Sequence, residues 1–254
     1  MLTDTCTIER SRINAGLLGQ DPIYQEEVKK ARKADNQLLR EARRAQGNPF
    51  YFCIKRTFDI VFSSLAIIML APLLALIAIL VKATSKGPVF FLDKRVGKNN
   101  KDIKVYKFRS MYVDAESRLR DYLTDEQMQK WIVERKLDND PRITKFGKFI
   151  RKTSLDELPQ LFNIFKGDMS FVGPRPITRI ELDENYNIRQ KRLLLSATPG
   201  LTGYWQVYAR SAATYETGER QKLELAYFSK RSCLFDAKLV LMTVPAVLQH
   251  KGAQ

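Results

Sequence analysis

The chain has 254 residues, 44% of them apolar, and a formal charge of +15 at pH 7. This length fits one sizeable domain, with or without an appendage. The basic excess predicts an anionic partner, such as nucleic acid, acidic lipid or a phosphorylated substrate.

Histidine and cysteine are scarce, and this excludes several kinds of catalytic site. The only histidine is His250, near the C-terminus, which argues against Ser-His-Asp triads, Cys-His dyads and histidine-rich metal sites. The chain has three cysteines, Cys6, Cys53 and Cys233, and they form no CxxC pair. We therefore expect no structural zinc site, and we expect the three thiols to be reduced. Catalysis must rest on carboxylates, Lys, Arg, hydroxyls or a hard metal ion such as Mg²⁺.

The first 48 residues are polar and dense in charge. Few helix breakers occur over 24–46, and a weak apolar stripe at helical spacing predicts a helix there. The mildness of the stripe favours a surface helix packed weakly on the main body over an oligomerisation arm for a homo-oligomer. Gly47-Asn48-Pro49 marks the end of this extension.

Residues 60–81 form the only long run without a charge. As one straight helix it measures about 33 Å, enough to cross a hydrocarbon core. Pro72 lies near its middle and favours a kink or break, and both flanks are basic. A re-entrant helix that returns to the same face and a spanning helix rank equally on these grounds. A buried soluble helix ranks third.

The next segments predict a hairpin and then a helix. Strand formers over 88–92 and 103–108 flank turn chemistry over 97–102, so 83–111 is predicted to be a β-hairpin. Residues 114–136 are predicted to be one helix. Its candidate inward positions are Leu119, Tyr122, Leu123, Trp131 and Ile132.

Residues 139–176 carry the most chemistry. Ser154 with Glu157 three residues later has capping-box spacing, and Gly167 suits a C-terminal cap, so 155–166 is predicted to be a helix. Pro159 falls in its first turn, where a missing N–H costs little.

Asp156 and Glu157 then lie at the start of that helix, and two interpretations compete. First-turn acids complement the helix dipole without any catalytic role. Arg151 upstream and Arg175 in a Pro-Arg-Pro turn favour an anion site suited to phosphate, in which two carboxylates hold Mg²⁺. The residues alone support the two about equally.

Several motifs together make the chain resemble the bacterial sugar transferases known as monotopic phosphoglycosyl transferases. The resemblance covers about 52–247 and depends on the order and spacing of the set. The motifs are KRTFD at 55–59, the apolar run with Pro72, KGPVFF at 86–91, RVG at 95–97, KFRSM at 107–111, DPRIT at 140–144, SLDELPQL at 154–161, KGDMSFVGPRP at 166–176 and PGLTG at 199–203.

The resemblance implies an activity and a set of roles. Such enzymes transfer a sugar-1-phosphate from a UDP-sugar to a polyprenyl (undecaprenyl) phosphate and release UMP, which primes polysaccharide or glycoconjugate assembly. It implies that Asp156 is the nucleophile of a covalent phosphosugar intermediate and that Glu157 assists metal binding or proton handling. Lys107, Arg151 and Arg175 then lie around phosphate groups, and Mg²⁺ is the cofactor.

The resemblance also implies the fold class and location. It implies a mixed α/β, monotopic protein of the bacterial inner membrane, with a re-entrant helix-break-helix over 49–82 among inner-leaflet phospholipids. Residues 83–254 then form a cytoplasmic catalytic domain with interfacial helices, and 1–48 lie outside the resemblance. Ala71 departs from the serine that relatives often place before the breaking proline.

The later segments leave alternatives open. Arg210, where relatives often have Asn-Gly-Arg, is expected to help bind the nucleotide or to be a surface charge, and Asp236 is expected to be structural. A last helix over 235–249 is predicted, lying in the membrane interface or in the core.

Two rival functions come from other classes. In one, the chain is a membrane-attached scaffold or anionic-lipid-binding protein in which the two acids only cap a helix. In the other it binds nucleic acid, but no aromatic residues alternate with its basic ones and the apolar run has no role there, so no nucleic-acid partner is expected.

Overall fold

The computed structural model describes residues 49–115, 117, 119–128, 137, 140–209, 213, 215 and 217–248, together with positions 26, 33 and 40. Those three isolated positions are helical and exposed. The prediction for 1–48 otherwise lies outside the described residues. The described chain mixes helices with two small sheets, so the predicted mixed α/β class is confirmed.

Helix α1, Pro49–Thr84, contains the whole apolar run. Its 36 residues continue as α-helix through Pro72, and such a helix measures about 54 Å when straight. It is the one helix of the described chain long and apolar enough to cross a membrane by length and composition. The predicted helix is confirmed, while its re-entrant geometry stays a prediction.

One face of α1 packs on the protein body from end to end. Near its start, Lys55 Nζ donates to Asp236 at 2.7 Å, and the Tyr51 hydroxyl donates to the same carboxylate at 2.8 Å. Near its end, Leu74 and Val81 are buried in a core cluster. Both ends of the helix therefore lie against the same body, and the buried Asp236 has the structural role expected of it.

The opposite face of α1 is apolar and exposed, unlike that of a helix buried in a soluble core. The third-ranked interpretation, a buried soluble helix, is therefore wrong. The exposed apolar side chains are Phe50, Ile54, Phe58, Ile60, Val61, Phe62, Leu65, Ile68, Met69, Leu76, Ile79 and Leu80.

The predicted hairpin follows α1 directly. Strands β1, Phe90–Val96, and β2, Asp102–Phe108, pair antiparallel, with Phe90 opposite Phe108 and Val96 opposite Asp102. The turn places Asn99 and Asn100 in the left-handed region, which asparagine tolerates better than most residues. The residues of the turn therefore fix the register of the two strands. The predicted β-hairpin is confirmed.

The predicted helix over 114–136 is wrong as a single element. Residues 119–122 form helix α2, Leu119–Tyr122, and 125–128 are helical again. Between them, Thr124 and Gln127 exchange side-chain and backbone hydrogen bonds of 3.3 and 3.1 Å, a capping arrangement that begins a new helix. All of 129–136, with the predicted inward positions Trp131 and Ile132, lies outside the described residues.

The rest of the chain alternates short helices with two short strands. Strands β3 and β4 pair in parallel, with Ser170 opposite Gly200 and Val172 opposite Thr202. The last helix was predicted correctly in place; its Leu239 is buried and its Leu241 is exposed. The bounds are α3 Lys145–Lys152, α4 Gln160–Lys166, β3 Ser170–Val172, α5 Arg179–Asn185, α6 Ile188–Leu194, β4 Gly200–Thr202, α7 Tyr204–Tyr208, α8 Glu219–Lys230 and α9 Cys233–Leu248.

Asn163 joins α4 to the hairpin. Its side chain is fully buried, accepts from Tyr106 N at 2.8 Å and donates to Lys104 O at 2.7 Å. These two bonds satisfy one N–H and one C=O at the inner edge of β2, so α4 is held at a fixed height on the sheet.

Replacing Asn163 by Ala is expected to destabilise the protein by about 2–3 kcal/mol, because two part-buried backbone groups lose their partners and a fully buried side chain is truncated. Thermal unfolding in detergent should show a clear fall in Tm. The matched control is Asn185→Ala, which loses one local bond to Glu181 O and should cost less than about 1 kcal/mol. Equal losses in the two variants would contradict this account.

Candidate active site

The two adjacent acids lie in a 3₁₀ turn, Leu155–Glu157, between α3 and α4. The predicted capping box is wrong, because Ser154 adopts φ 57° and makes no side-chain cap bond. An N-cap residue needs an extended backbone, whereas the left-handed conformation of Ser154 ends the preceding helix. Helix α4 begins only at Gln160, so Asp156 and Glu157 precede it instead of forming its first turn.

The acidic turn is anchored on the apolar helix. Leu155 and Leu158, which flank the acids, pack against a cluster that contains Leu74 and Ile77 of α1 and Phe108 of β2. Apolar side chains on both sides of the acids therefore fix the turn beside the middle of α1. The carboxylates lie close to the helix whose outer face is apolar.

Lys107 connects the acidic turn to the hairpin. Its Nζ lies 3.6 Å from Glu157 Oε1 and 3.8 Å from Asp93 Oδ2. Asp93 in turn accepts from Arg95 Nη2 at 2.8 Å. Asp93 and Arg95 lie on one face of β1, two residues apart, so the hairpin presents an ordered row of alternating charges.

Arg151 lies a few residues upstream of the acids. It lies in the last turn of α3, and its Nε donates to Ser110 Oγ at 2.7 Å. Its charge interacts with Asp156 and also with Asp140, which is buried in a pair with Arg142. The hydrogen bond to Ser110 fixes one edge of the guanidinium group near Asp156.

Arg175 faces Glu157 and Lys107 across a cleft that these residues line together. It lies between Pro174 and Pro176 after β3, and its guanidinium group lies 5.8 Å from the ring centre of Trp205. The cleft lies between these elements. Its lining is Asp93, Arg95, Val105, Lys107, Glu157, Gln160, Arg175, Pro176, Gly200, Leu201 and Gln206.

Glycine permits the close backbone packing behind this cleft. A Cβ on Gly200 would lie 2.1 Å from Gly173 N, and a Cβ on Gly203 would lie 2.2 Å from Gly173 O. The segments around 173 and 200–203 therefore touch backbone to backbone. This contact sets the position of the Pro-Arg-Pro turn that follows Gly173.

The charges around Asp156 determine its acidity. Burial raises the pKa of Asp156 to about 6, and the neighbouring Glu157 charge raises it too, while Lys107 and Arg151 act in the opposite direction. At neutral pH the Asp156 carboxylate is therefore ionised but retains high basicity. Such a group is a better nucleophile than an ordinary surface carboxylate.

The structure brings together most of the residues singled out in the sequence. Asp156, Glu157, Lys107 and Arg151 interact directly or through their charges, and Arg175 lines the cleft with Glu157 and Lys107. Arg210 lies outside the described residues.

Sequence reasoning missed Asp93 and the role of Arg95 in this cleft. Two opposite charges two residues apart within the predicted hairpin were a usable signal, because such residues share a face of a strand. The cleft also depends on the close contact of Gly200 with Gly173. The sequence around Gly200 does not indicate this contact.

Replacing Asp156 by Asn is expected to stabilise the fold above pH 6. A carboxyl whose pKa is raised on folding binds extra protons in the native state, so stability falls as pH rises from about 4 to about 6. Asn removes this penalty, on the order of 1–2 kcal/mol for a partly open group, so Tm should rise at pH 8.

The gain should vanish below about pH 3, where Asp156 is protonated in both the folded and the unfolded state. Asp183→Asn is a control of opposite sign, because the hydrogen bond from Lys191 lowers the pKa of Asp183. A lower Tm for Asp156→Asn at pH 8 would contradict the assigned environment.

Comparison with known proteins adds independent information. The bacterial sugar transferase family matches residues 50–250. The exopolysaccharide production protein ExoY of Rhizobium meliloti (strain 1021) is 37% identical over 229 residues, which cover 85% of this chain and 100% of ExoY.

Two longer proteins match over part of their length. The galactosyl transferase CpsE of Streptococcus agalactiae is 49% identical over 168 residues, covering 66% of this chain and 36% of CpsE. The UDP-glucose:undecaprenyl-phosphate glucose-1-phosphate transferase of Escherichia coli is 39% identical over 209 residues, covering 79% of this chain and 41% of that protein. The chain thus spans about four-tenths of these longer relatives and matches ExoY throughout.

Proposed function

The chain is an enzyme of the bacterial sugar transferase family, and we propose that it transfers a sugar-1-phosphate from a UDP-sugar to a polyprenyl phosphate. UMP is the second product. The relatives' names support this proposal, since the Escherichia coli protein is named for transfer of glucose-1-phosphate to undecaprenyl phosphate. CpsE is named as a galactosyl transferase and ExoY as an exopolysaccharide production protein, which supports a role for such a step in polysaccharide synthesis.

One observation carries the proposal. The carboxylate of Asp156 is partly buried, has a raised pKa and lies among cations. Its turn packs against α1, an apolar helix with an exposed outer face. Transfer between a soluble nucleotide and a lipid needs a phosphate site at the edge of a membrane. The cleft lined by Glu157, the neighbour of Asp156, meets this requirement, because Leu155 and Leu158 join the acidic turn to α1.

The proposed first step is nucleophilic attack by Asp156. A carboxylate oxygen of Asp156 attacks the sugar-bearing phosphorus of the UDP-sugar, and the bond from that phosphorus to the bridging oxygen breaks. UMP leaves with the electron pair of that bond, and the sugar phosphate remains on Asp156 as an acyl phosphate. Lys107, Arg151 and Arg175 offset the repulsion between the carboxylate and the phosphate oxygens and stabilise the leaving UMP.

The second step returns the carboxylate. A phosphate oxygen of the polyprenyl phosphate attacks the phosphorus of the intermediate, and the bond to Asp156 breaks. The product is a polyprenyl diphosphate sugar. Two steps allow one cleft to serve a soluble donor first and a lipid acceptor afterwards, so both substrates need not bind together.

Asp156 and Glu157 also fit a bound Mg²⁺. Two adjacent carboxylates supply hard oxygen ligands, and a cation between them would relieve the repulsion that raises the pKa of Asp156. No group of three or more His, Cys, Asp or Glu residues suited to hold a metal occurs in the described part of the chain, so substrate phosphate and water would have to supply the other ligands. Bound Mg²⁺ would supply charge neutralisation at the phosphates. Removal of Mg²⁺ with EDTA should abolish UMP release, and added Mg²⁺ should restore it.

The contacts of α1 support a proposed membrane arrangement. Both ends of this helix pack on one body, which favours a re-entrant helix that enters and leaves the bilayer on the same face, with Pro72 as the proposed break. Its exposed apolar face meets inner-leaflet phospholipid, and the body faces the cytoplasm at the inner membrane. Cysteine labelling of Ser85→Cys and the native Cys53 in intact and opened cells tests this: both thiols should react only from the cytoplasmic side.

The activity is tested by UMP release in detergent with Mg²⁺, undecaprenyl phosphate and a panel of UDP-sugars. One donor should release UMP and move labelled sugar phosphate into the lipid fraction. UMP release without label in the lipid would mean that water is the acceptor, and no release from any donor of the panel would overturn the proposal for those sugars.

A further inference from the structure

A buried carboxylate supports the Pro-Arg-Pro turn from behind. Glu224 of α8 is only 1% exposed, and its Oε2 accepts a hydrogen bond from the backbone N–H of Arg175 at 3.2 Å. A carboxylate in such surroundings is costly to retain, and burial raises the pKa of Glu224 to about 7. Its second oxygen, Oε1, has no hydrogen-bond partner among the described residues. Packing alone does not explain an acid at this position.

The turn offers Glu224 a single donor. Pro174 and Pro176 have no N–H, so the Arg175 amide is the only backbone donor between them. Prolines on both sides also fix the backbone angle φ at 174 and 176. One hydrogen bond to Arg175 N therefore orients the short rigid segment from which the Arg175 side chain projects.

Neighbouring side chains hold Glu224 itself in place. One turn earlier on α8, Arg220 lies 4.3 Å from the ring centre of Trp205 and 4.0 Å from that of Tyr215. Arg220 also lies 3.7 Å from Glu181, and its charge acts on Glu224. Arg175 also lies near the ring of Trp205, so Trp205 connects Arg220 of α8 to Arg175.

We infer that Glu224 is a positioning residue that fixes Arg175 for the donor's diphosphate. Glu224 touches no substrate in this account and acts through the turn. The inference deepens the proposed function and rests on it, since it assigns Arg175 to the UDP part of the donor. Loss of Glu224 should weaken binding of the nucleotide diphosphate without changing the chemistry at Asp156.

The test uses the full chain in detergent and two readouts. UDP binding is measured by calorimetry, and UMP release gives KM and kcat separately. Glu224→Ala should raise the Kd for UDP and the KM for the donor about 10-fold or more, with kcat changed less than about threefold. Glu224→Gln, whose amide oxygen still accepts from Arg175 N, should recover most of the affinity.

A double-mutant cycle separates positioning from general damage. If Glu224 acts through the Arg175 side chain, Glu224→Ala should add less than about a twofold loss once Arg175→Ala is present. Three results would each overturn the inference. They are a double variant whose loss of affinity equals the product of the two single losses, an unchanged Kd for UDP in Glu224→Ala, and a Glu224→Gln variant that does not recover the affinity. If Glu224→Ala does not fold, Glu224→Asp, whose shorter side chain draws the acceptor away from Arg175 N, and its cycle with Arg175→Ala take its place. Wild-type protein that binds no UDP would instead refute the proposed function.

Discussion

Replacing Asp156 by Asn is expected to lower the rate of UMP release by at least about 1000-fold, because the amide cannot form the acyl phosphate. The fold should survive, since the change is isosteric and relieves the cost of a buried charge. Glu157→Gln should lose less, about 10- to 100-fold, because Glu157 assists without being attacked. UMP release under saturating donor and acceptor is the measurement.

A single-turnover experiment sharpens this prediction. Without lipid acceptor, wild-type protein should release one UMP per active site and retain the labelled sugar phosphate on the chain. Asp156→Asn should give neither the burst nor the label, whereas Asp183→Asn, a distant surface change, should give both. A burst that survives in Asp156→Asn would assign the nucleophile to another residue.

The hairpin and the helix ends show what local sequence can predict. Gly97, Asn99 and Asn100 specify the turn whatever surrounds them, and Gly167 ends α4 with φ 98° as expected. These features depend on backbone preferences of single residues, which act over a few positions. For this reason the β1–β2 hairpin, the apolar helix and the last helix were predicted at nearly their observed places.

Ser154 shows where local reasoning fails. The same serine can cap a following helix or end a preceding one, and the spacing to Glu157 suits the first alternative. The structure uses the second, because α3 ends immediately before it. The choice depends on how α3 packs. Gly147 lets α3 approach the segment after β2 so closely that a Cβ at this position would lie 1.9 Å from Ser110 O. This contact between distant segments fixes where α3 lies, and the local sequence around Ser154 does not reveal it.

The composition of the cleft was also only half predictable. Asp156, Glu157, Lys107, Arg151 and Arg175 were identified through their motifs, and the structure places them around one cleft or in charge contact with it. The residues that support the cleft from behind could not be identified from motifs. Glu224 and Arg220 come from a distant helix, and only the fold brings them behind the Pro-Arg-Pro turn.

Removing the Arg151 charge is expected to reduce kcat/KM about 100-fold or more, as losing a preorganised group that stabilises developing charge does in other sites. The same change should move the acid limb of the pH profile. The limb reports ionisation of Asp156 near pH 6, and Arg151 lowers that pKa, so Arg151→Ala should shift the limb to higher pH. Glu157→Gln should shift it to lower pH, because the Glu157 charge raises the pKa of Asp156.

The opposite shifts make this prediction stringent. Both variants lose activity, so a nonspecific disturbance would not separate the two limbs. Lys222→Ala removes an exposed cation from α8 and serves as the control for net charge, with neither the rate nor the limb altered. Arg151→Lys keeps the charge but loses the Nε bond to Ser110, so its limb should stay close to that of the wild type while its rate falls. A common limb in all four variants would show that the group titrating near pH 6 is not Asp156, and the cations around it would then act on binding alone.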